Sequence, residues 1–368
     1  MQAPETSLFF TGSRLASPAQ SLYKGTIFKG ERMPFRIAIN GYGRIGRCVL
    51  RALYESGRRA DMAVVGINDL SNMDSIAHLT RFDSTHGRFA GRVVHEGATL
   101  YVNDDPIEVS FEKNPAALPW AKLGVDAVLE CTGSFIDRAT AEGHLKSGAK
   151  KVVFSCPAEN ADAIVVYGIN HTSLKKDHTV ISNASCTSNC IVPVIDVLDR
   201  ALGIDHGMIT TIHSIMNDQP VIDAYHNRDL RKSRSSGQSV IPVNTELPSG
   251  IDRLLPRLAG RFQAIALRVP TTNVSAMQLT AHVKTKTEAA TVNEIFATGA
   301  TGPLAGILGY TELPLVSCDF NHDPHSAVID GSQTRVAGTT GVSVLAWFDN
   351  EWGYANRMLD TTFALLSA

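Results

Sequence analysis

The sequence predicts an α/β protein with two domains, one built on a parallel sheet and a second, α+β domain with an antiparallel sheet. From Phe35 onwards, a short strand, a glycine-rich turn and a helix follow one another, and further short apolar strands continue to Tyr167. Beyond Cys186, polar and apolar residues alternate, which is typical of an antiparallel sheet with one solvated face. A chain of 368 residues is long enough for two such domains.

The first βαβ unit begins with a β-branched run at Phe35–Asn40. A helical apolar pattern follows and ends at Gly57, and a second buried strand is predicted at Met62–Asn68. Further elements extend the two sheets and close the chain. They are strands at Ala127–Glu130, Lys151–Phe154 and Ala163–Tyr167, a helix at Ala139–Ser147, β segments at Met208–Ile215 and Phe262–Lys284, and a last helix at Tyr354–Leu366 that can pack on the first domain.

Three glycines, Gly41, Gly43 and Gly46, form a GxGxxG turn between the first strand and its helix. Asp69 follows the second strand, at the spacing of about 20 residues that marks Rossmann-type dinucleotide-binding domains. We expect the glycines to let the backbone approach a pyrophosphate and the helix to pack on the strand. Asp69 would accept hydrogen bonds from the adenosine ribose and would repel a 2′-phosphate, which favours NAD over NADP. Its alternative role is to cap the loop.

These patterns divide the chain. Residues 1–32, rich in Ser, Gly, Thr and Pro, are predicted to be a disordered leader, with an organelle-targeting peptide as the alternative. We predict that residues 33–185 form an NAD-binding domain, which the C-terminal helix 351–368 completes, and that residues 186–350 form a second domain, which would be the catalytic one.

Composition argues against several classes of partner. Charged residues make up 19% of the chain and the net charge is −2, so we expect no nucleic acid partner. No apolar run approaches the roughly 20 residues that cross a bilayer, so we expect no membrane association. Six scattered cysteines without a CxxC pair indicate reduced thiols in a cytoplasmic protein and no metal site.

Candidate chemistry lies in the segment Val180–Cys190, where a strand ends before the apolar helix Ile191–Leu202. Cys186 is predicted to lie at the helix start, where free N–H groups and the helix dipole are expected to lower a thiol pKa and to hold an oxyanion. Cys190, one turn later, is predicted to face the core. A purely structural cysteine, a disulfide between Cys186 and Cys190, or a metal site are the alternatives.

Four segments together resemble the glyceraldehyde-3-phosphate dehydrogenase family, and the resemblance extends from Met33 to the C-terminus. They are Asn40–Arg47, Ser182–Asn189, Arg268–Thr271 and Asp349–Tyr354. Within the family, His213–Gln219, Asp223–His226 and Tyr310–Ser317 resemble the branch that oxidises erythrose 4-phosphate. The family resemblance also implies a homotetramer.

The resemblance implies roles for individual residues. Cys186 matches the nucleophile, and His213 matches the histidine that activates it and accepts the hydroxyl proton. Asn350 matches the residue that fixes the nicotinamide carboxamide. Arg44, Ile45 and Asp69 match residues that bind the cofactor, and Ser155 matches a residue near the nicotinamide ribose. Six further residues match the binding site of a small phosphorylated aldose: Ser185, Thr187, Asp218, Lys232, Thr245 and Arg268.

Three positions depart from the glycolytic pattern of the family. Met216, Lys232 and Glu246 stand where the glycolytic enzyme usually has threonine, arginine and glycine. Methionine has no O–H donor, lysine cannot form a bidentate fork, and glutamate would repel a dianion. We therefore expect water, rather than inorganic phosphate, to release the acid from a Cys186 thioester. Phosphorylating catalysis is one alternative, and an NAD-binding regulatory protein without catalysis is another.

Overall fold

The computed structural model describes residues 33–158, 160–226 and 229–368. The predicted leader, residues 1–32, lies outside them. Within these ranges no helix is both long and apolar enough to cross a membrane.

The first sheet is mostly parallel and has the strand order β10-β11-β9-β8-β1-β2-β7-β6-β5. Strands β5, β6 and β7 pair antiparallel at one edge, an extension that the sequence patterns did not predict, and β3 pairs with β4 separately. The strands are β1 (Phe35–Asn40), β2 (Met62–Asn68), β3 (Phe82–Asp83), β4 (Gly87–Arg88), β5 (Val93–Glu96), β6 (Thr99–Val102), β7 (Asp105–Ser110), β8 (Ala127–Glu130), β9 (Lys151–Phe154), β10 (Ala163–Ile164) and β11 (Val180–Ser182).

Four of these strands, β1, β2, β8 and β9, have the predicted bounds, because each is a short apolar run that is largely buried. The strand predicted at Ala163–Tyr167 was wrong at its end, since β10 stops at Ile164. Beyond it, the side-chain oxygen of Asn170 accepts the hydrogen bond from the Val166 N–H, at 2.8 Å. A side chain therefore replaces a neighbouring strand as the partner of this backbone.

Helices flank the first sheet, and those in its part of the chain are α1 (Arg44–Glu55), α2 (Met73–Arg81), α3 (Trp120–Leu123) and α4 (Arg138–Lys146). Asn72 and Asp137 cap α2 and α4 through their side chains. Met62, Ile67 and other apolar residues of the strands form one buried core with the apolar face of α1.

The second sheet has the order β13-β14-β12-β15-β18-β17-β16 and is mixed. Most neighbours are antiparallel, as predicted, but the pairs β12 with β14 and β16 with β17 are parallel. The predicted β run Phe262–Lys284 divides at Pro270 into two strands. The strands are β12 (Ile204–His213), β13 (Ile241–Val243), β14 (Phe262–Arg268), β15 (Ser275–Val283), β16 (Leu308–Thr311), β17 (Ala327–Ala337) and β18 (Gly341–Phe348).

Helices α5 (Cys186–Leu202), α6 (Leu247–Leu254) and α7 (Ala289–Thr301) contribute buried side chains to the core of the second sheet. Along β18, buried and partly exposed residues alternate, as expected for a sheet with one covered face. The last helix, α8 (Trp352–Ser367), packs on α1 as predicted, and Phe363 meets Phe35 edge to face at 6.1 Å. The predicted fold class is confirmed.

Candidate active site

The glycine turn after β1 has the geometry that dinucleotide binding requires. Gly41 has a φ of +87°, and a Cβ there would lie 2.5 Å from the backbone nitrogen of Thr132. A Cβ on Gly46 would lie 2.3 Å from the Gly41 carbonyl oxygen, so only glycine lets α1 pack this closely. A Cβ on Gly43 would meet no heavy atom within 4 Å, so the space in front of the turn is open.

The first turn of α1 can receive an anion. Gly43 is the N-cap and provides no side-chain hydrogen bond, and the first turn has no acidic residue, so the N–H groups that begin the helix keep their donor capacity. A cavity of about 420 Å³ opens beside the turn. Its lining includes Asn40, Gly41, Gly43, Asn68, Asp69 and Thr132. These residues fit the pyrophosphate and adenosine half of a dinucleotide.

Asp69 serves the loop and also lines the cavity. One carboxylate oxygen accepts the Tyr42 N–H at 2.7 Å, within the glycine turn, and the other accepts the Ser71 N–H at 2.9 Å. The loop-capping alternative is thus realised. Each oxygen keeps a second lone pair for a ribose hydroxyl, so the two roles are compatible.

The structure shows which part of Arg44 is free to contribute to the predicted cofactor site. Its guanidinium donates to Asp83 and to Glu351 and forms ion pairs with both carboxylates, so the side chain is occupied inside the protein. Its backbone N–H, at the first position of α1, remains the group that can face a pyrophosphate. The side chain of Ile45 packs against the first core, which leaves Ile45 the same backbone contribution.

Cys186 is the first residue of α5, so it lies at the helix start as predicted, although the helix begins before the predicted apolar stretch Ile191–Leu202. Ser185 is the N-cap, and its hydroxyl accepts the Ser188 N–H at 3.0 Å and lies 2.9 Å from the Thr187 hydroxyl. Ala184, just before, has a φ of +54°, an unfavourable value for a residue with a Cβ. The phenol of Tyr354 donates to the Ala184 carbonyl at 3.0 Å and helps to hold this turn.

Cys186 and His213 lie side by side, with Sγ 3.6 Å from Nε2. The histidine Nδ1 lies 2.8 Å from the Ser214 carbonyl oxygen, which can only accept, so Nδ1 carries the proton. Nε2 therefore presents its lone pair to the thiol. All six cysteines are free, and Cys190 is buried in the core as predicted, so the disulfide alternative does not apply to this structure.

The prediction of a lowered Cys186 thiol pKa was wrong. Burial raises the pKa of Cys186 to about 11, although Arg268 and the N–H groups of Cys186 and Thr187 act in the opposite direction. The reason is the position of the thiol, which packs against both hydrophobic cores. Burial and the nearby Arg268 lower the pKa of His213 to about 4. The pair is thus a neutral thiol and a neutral imidazole at neutral pH.

These pKa values predict how Cys186 reacts with iodoacetamide. Because the thiolate is the nucleophile, we expect the alkylation rate of Cys186 to rise about tenfold per pH unit over roughly pH 7 to 9. Initial rates of carboxamidomethylation, located by peptide mass spectrometry, measure this, with the exposed Cys318 as the internal control. A rate that is already constant across this range would mean a preformed thiolate and would contradict the raised pKa of Cys186.

Arg268 gives the site its positive charge. It ends β14 as His213 ends the parallel neighbour β12, so the two residues are register partners at one sheet edge. Its Nε and Nη1 atoms are buried without a hydrogen-bond partner, and burial lowers the pKa of Arg268. A buried guanidinium with free donors is costly unless an anion binds it.

Asp218 and Lys232 lie close to this charge but satisfy each other. The Lys232 Nζ is 2.6 Å from the Asp218 carboxylate. Burial alone would raise the pKa of Asp218, but Lys232 and Arg268 lower it overall, so the carboxylate is ionised. The positive charge of Lys232 is therefore partly balanced by Asp218, and Arg268 is the stronger candidate for binding a phosphate group.

Asn350 follows β18 and is held by residues that the sequence did not single out. Its Oδ1 accepts hydrogen bonds from the Ser214 hydroxyl at 3.0 Å and the Ser275 hydroxyl at 2.8 Å. Its Nδ2 has no hydrogen-bond partner among the described residues, which leaves a donor for a ligand. No local pattern could indicate Ser275, since it lies 75 residues away from Asn350.

The remaining predicted residues lie on neighbouring elements. Ser155 follows β9, and its N–H donates to the Glu130 carbonyl at 2.9 Å. The Thr245 hydroxyl accepts the Leu247 N–H at 3.2 Å, at the start of α6, which packs against α5. Neither contact touches Cys186 or His213, so their predicted roles rest on the family resemblance.

Two family models match the chain. The NAD binding domain of glyceraldehyde 3-phosphate dehydrogenase matches residues 35–138, and the C-terminal domain of the same enzyme matches residues 185–350. With the glycine turn and its cavity, these matches make the protein an NAD-dependent oxidoreductase. The chain belongs to the glyceraldehyde-3-phosphate dehydrogenase family. NAD as the cofactor is confirmed.

Proposed function

We propose that the protein oxidises D-erythrose 4-phosphate to 4-phosphoerythronate, through a thioester on Cys186 that water hydrolyses. The observation that carries this proposal is the Cys186 thiol, 3.6 Å from the basic nitrogen of His213 and close to the unpartnered guanidinium of Arg268. A thiol, a base and a buried cation together suit an aldehyde that carries a phosphate.

The tautomer of His213 leaves Nε2 free to act as the base when Cys186 is acylated. Nε2 accepts the thiol proton as the Cys186 sulfur attacks the aldehyde carbon, and the free N–H groups at the start of α5 stabilise the oxyanion. The proton then passes to the oxyanion and gives a thiohemiacetal. His213 takes the proton of this hydroxyl as the carbon is oxidised to a thioester. NAD supplies the hydride acceptor, with Asn350 Nδ2 as the donor that would hold its carboxamide.

Hydrolysis uses the same base. After His213 has lost its proton to solvent, Nε2 removes a proton from an attacking water, and the tetrahedral intermediate expels the Cys186 sulfur, which is reprotonated. The product is a carboxylic acid, and the thiol is regenerated. Since burial holds the pKa of His213 near 4, the imidazole returns readily to the neutral form that each step requires.

Three side chains favour water over inorganic phosphate as the attacking group. Met216 is 44% exposed and offers only its backbone N–H, which the Gln219 side chain already accepts at 3.2 Å. Lys232 is paired with Asp218. Glu246 adds a negative charge at the start of α6. A second dianion beside the substrate phosphate would therefore find few free donors.

We further propose that the protein acts as a homotetramer. The face of the second sheet that α5, α6 and α7 do not cover exposes apolar side chains, with Met208 and Ile265 both 52% exposed. Such residues on a sheet face suit a contact with another subunit.

One experiment tests the proposed reaction. NADH formation is recorded with erythrose 4-phosphate and with glyceraldehyde 3-phosphate, each with and without inorganic phosphate, and the products are identified by mass spectrometry. We expect the four-carbon sugar to be preferred, the rate to be independent of phosphate, and the free acid to form. Strict dependence on phosphate with an acyl phosphate product and a preference for the triose would instead identify a phosphorylating glyceraldehyde-3-phosphate dehydrogenase.

A further inference from the structure

His322 adopts a backbone conformation that side chains rarely take. It lies between β16 and β17 with a φ of +69°. Its ring stacks on Trp352, with centroids 3.6 Å apart, and its N–H donates to the Asp349 carboxylate at 2.7 Å. The strain is held in place by contacts with the turn that precedes α8.

The ring of His322 is the middle of a continuous chain of hydrogen bonds. Its Nε2 lies 2.7 Å from Glu55, and its Nδ1 lies 3.2 Å from Nδ1 of His86. The His86 Nε2 lies 3.0 Å from Glu351. We name these four residues, Glu55, His322, His86 and Glu351, the histidine chain. It joins α1 and the loop between β3 and β4 to the segment before β17 and the start of α8.

The histidine chain needs one more proton than two neutral imidazoles carry. Each of its three hydrogen bonds needs one proton, ionised carboxylates at the two ends can only accept, and two neutral imidazoles supply two protons. Burial alone would raise the pKa of Glu351, but Arg44 and His86 lower it overall, so this end is ionised. All three hydrogen bonds therefore form together only when the histidine chain holds a third proton.

The histidine chain reaches Asn350 through Asp349. One Asp349 oxygen accepts the His322 N–H at 2.7 Å and the Asn273 amide at 2.8 Å. The other accepts the backbone N–H groups of Glu351 at 2.9 Å and of Trp352 at 2.7 Å. The single residue between Asp349 and Glu351 is Asn350. The backbone of Asn350 is thus fixed on both sides, because His322 contacts Asp349 and His86 contacts Glu351.

We propose that His86 and His322 share a proton in a pair that positions Asn350 toward the nicotinamide of NAD. This inference rests on the proposed role of Asn350 and extends it. Loss of the shared proton breaks one of the three bonds and loosens the turn at Asn350. The affinity for NAD therefore falls when a rise in pH removes the shared proton.

Charged and titratable groups of both signs surround His86 and His322. Glu55, Glu351, Asp83 and Asp349 favour the shared proton, while Arg44 and Arg51 oppose it. Arg44 is paired with Asp83 and Glu351, and Arg51 lies 3.7 Å from Glu55, so the arginine charges are largely balanced. Burial raises the pKa of the Cys48 thiol, which keeps this neighbour neutral.

Two substitutions separate positioning from simple stability. His322→Asn keeps a residue that tolerates the left-handed backbone, but its short amide cannot span Glu55 and His86. Glu55→Gln keeps the side-chain length and offers an N–H donor to Nε2 of His322. Two neutral imidazoles then complete the hydrogen bonds of the histidine chain without a third proton. His206→Asn, at an exposed histidine of β12, is the matched control.

The experiment measures the Kd for NAD by tryptophan fluorescence, without aldehyde, and the KM for NAD and kcat, at intervals from pH 6 to 9. For the unaltered protein and for His206→Asn we expect the Kd and the KM for NAD to rise about threefold to tenfold across this range. His322→Asn should show the weak value at every pH with kcat changed less than about threefold. Glu55→Gln should bind NAD tightly at every pH.

Unchanged NAD affinity and pH dependence in His322→Asn, or retained pH dependence in Glu55→Gln, would overturn the inference. Asn350→Ala separates it from the proposed function. If that variant binds NAD as the unaltered protein does, the assigned role of Asn350 fails, whatever the histidine variants show. Because Kd needs no aldehyde, an error in the proposed sugar substrate leaves this test intact.

Discussion

Replacing Cys186 by alanine is expected to lower the rate of NADH formation by roughly 10⁴-fold or more, because no other thiol lies beside His213 and hydride cannot leave an aldehyde that has no nucleophile attached. The affinity for NAD should change little, since the glycine turn at Gly41 and Gly43 does not touch this residue. Steady-state rates by absorbance and NAD titration by fluorescence measure the two quantities.

Cys318→Ala is the matched control, because this cysteine is exposed and lies outside the site. It should keep full activity. If Cys186→Ala retained a tenth of the normal rate, a thioester at this position could not be on the reaction path. If it lost NAD binding together with activity, a disturbed fold rather than a missing nucleophile would explain the loss.

Replacing Arg268 by methionine is expected to raise the KM for the phosphorylated aldehyde by about 10-fold to 100-fold while making the folded protein more stable. Two guanidinium nitrogens are buried without partners, so the free protein bears a desolvation cost that the substrate anion would offset. Removing the charge should raise the free energy of unfolding by about 1 to 3 kcal/mol. Steady-state kinetics and urea denaturation measure the two effects.

Arg257→Met serves as the control, since this arginine is paired with Asp196 and Asp199 and lies away from the thiol. It should leave the KM unchanged and give no gain in stability. Unphosphorylated erythrose gives a second check, because its KM should be insensitive to Arg268→Met. Equal effects on both sugars, or a loss of stability in Arg268→Met, would contradict the assignment of this guanidinium to the phosphate.

Local patterns were sufficient wherever a feature depends on neighbouring residues. The bounds of β1, β2, β8 and β9 follow from short apolar runs. The glycine turn follows from the positive φ of Gly41, which residues with a side chain rarely adopt, and from the close contact at Gly46. Patterns failed where another part of the chain supplies the partner. The antiparallel edge of three strands that extends the first sheet is the example. The early end of β10 is a different case, because Asn170 lies only four residues after Val166 and the strand pattern did not reveal its side-chain hydrogen bond.

By itself, the sequence determined the first βαβ unit, the dinucleotide turn and the residue types of the site, because periodicity, turn chemistry and a short motif act over a few residues. Only the tertiary structure decided the electrostatics. The thiol of Cys186 lies between two cores that raise its pKa, Arg44 is engaged by Asp83 and Glu351, and Arg268 is buried without a partner. Burial and charge pairing depend on groups far apart in the chain, so no local pattern can specify them.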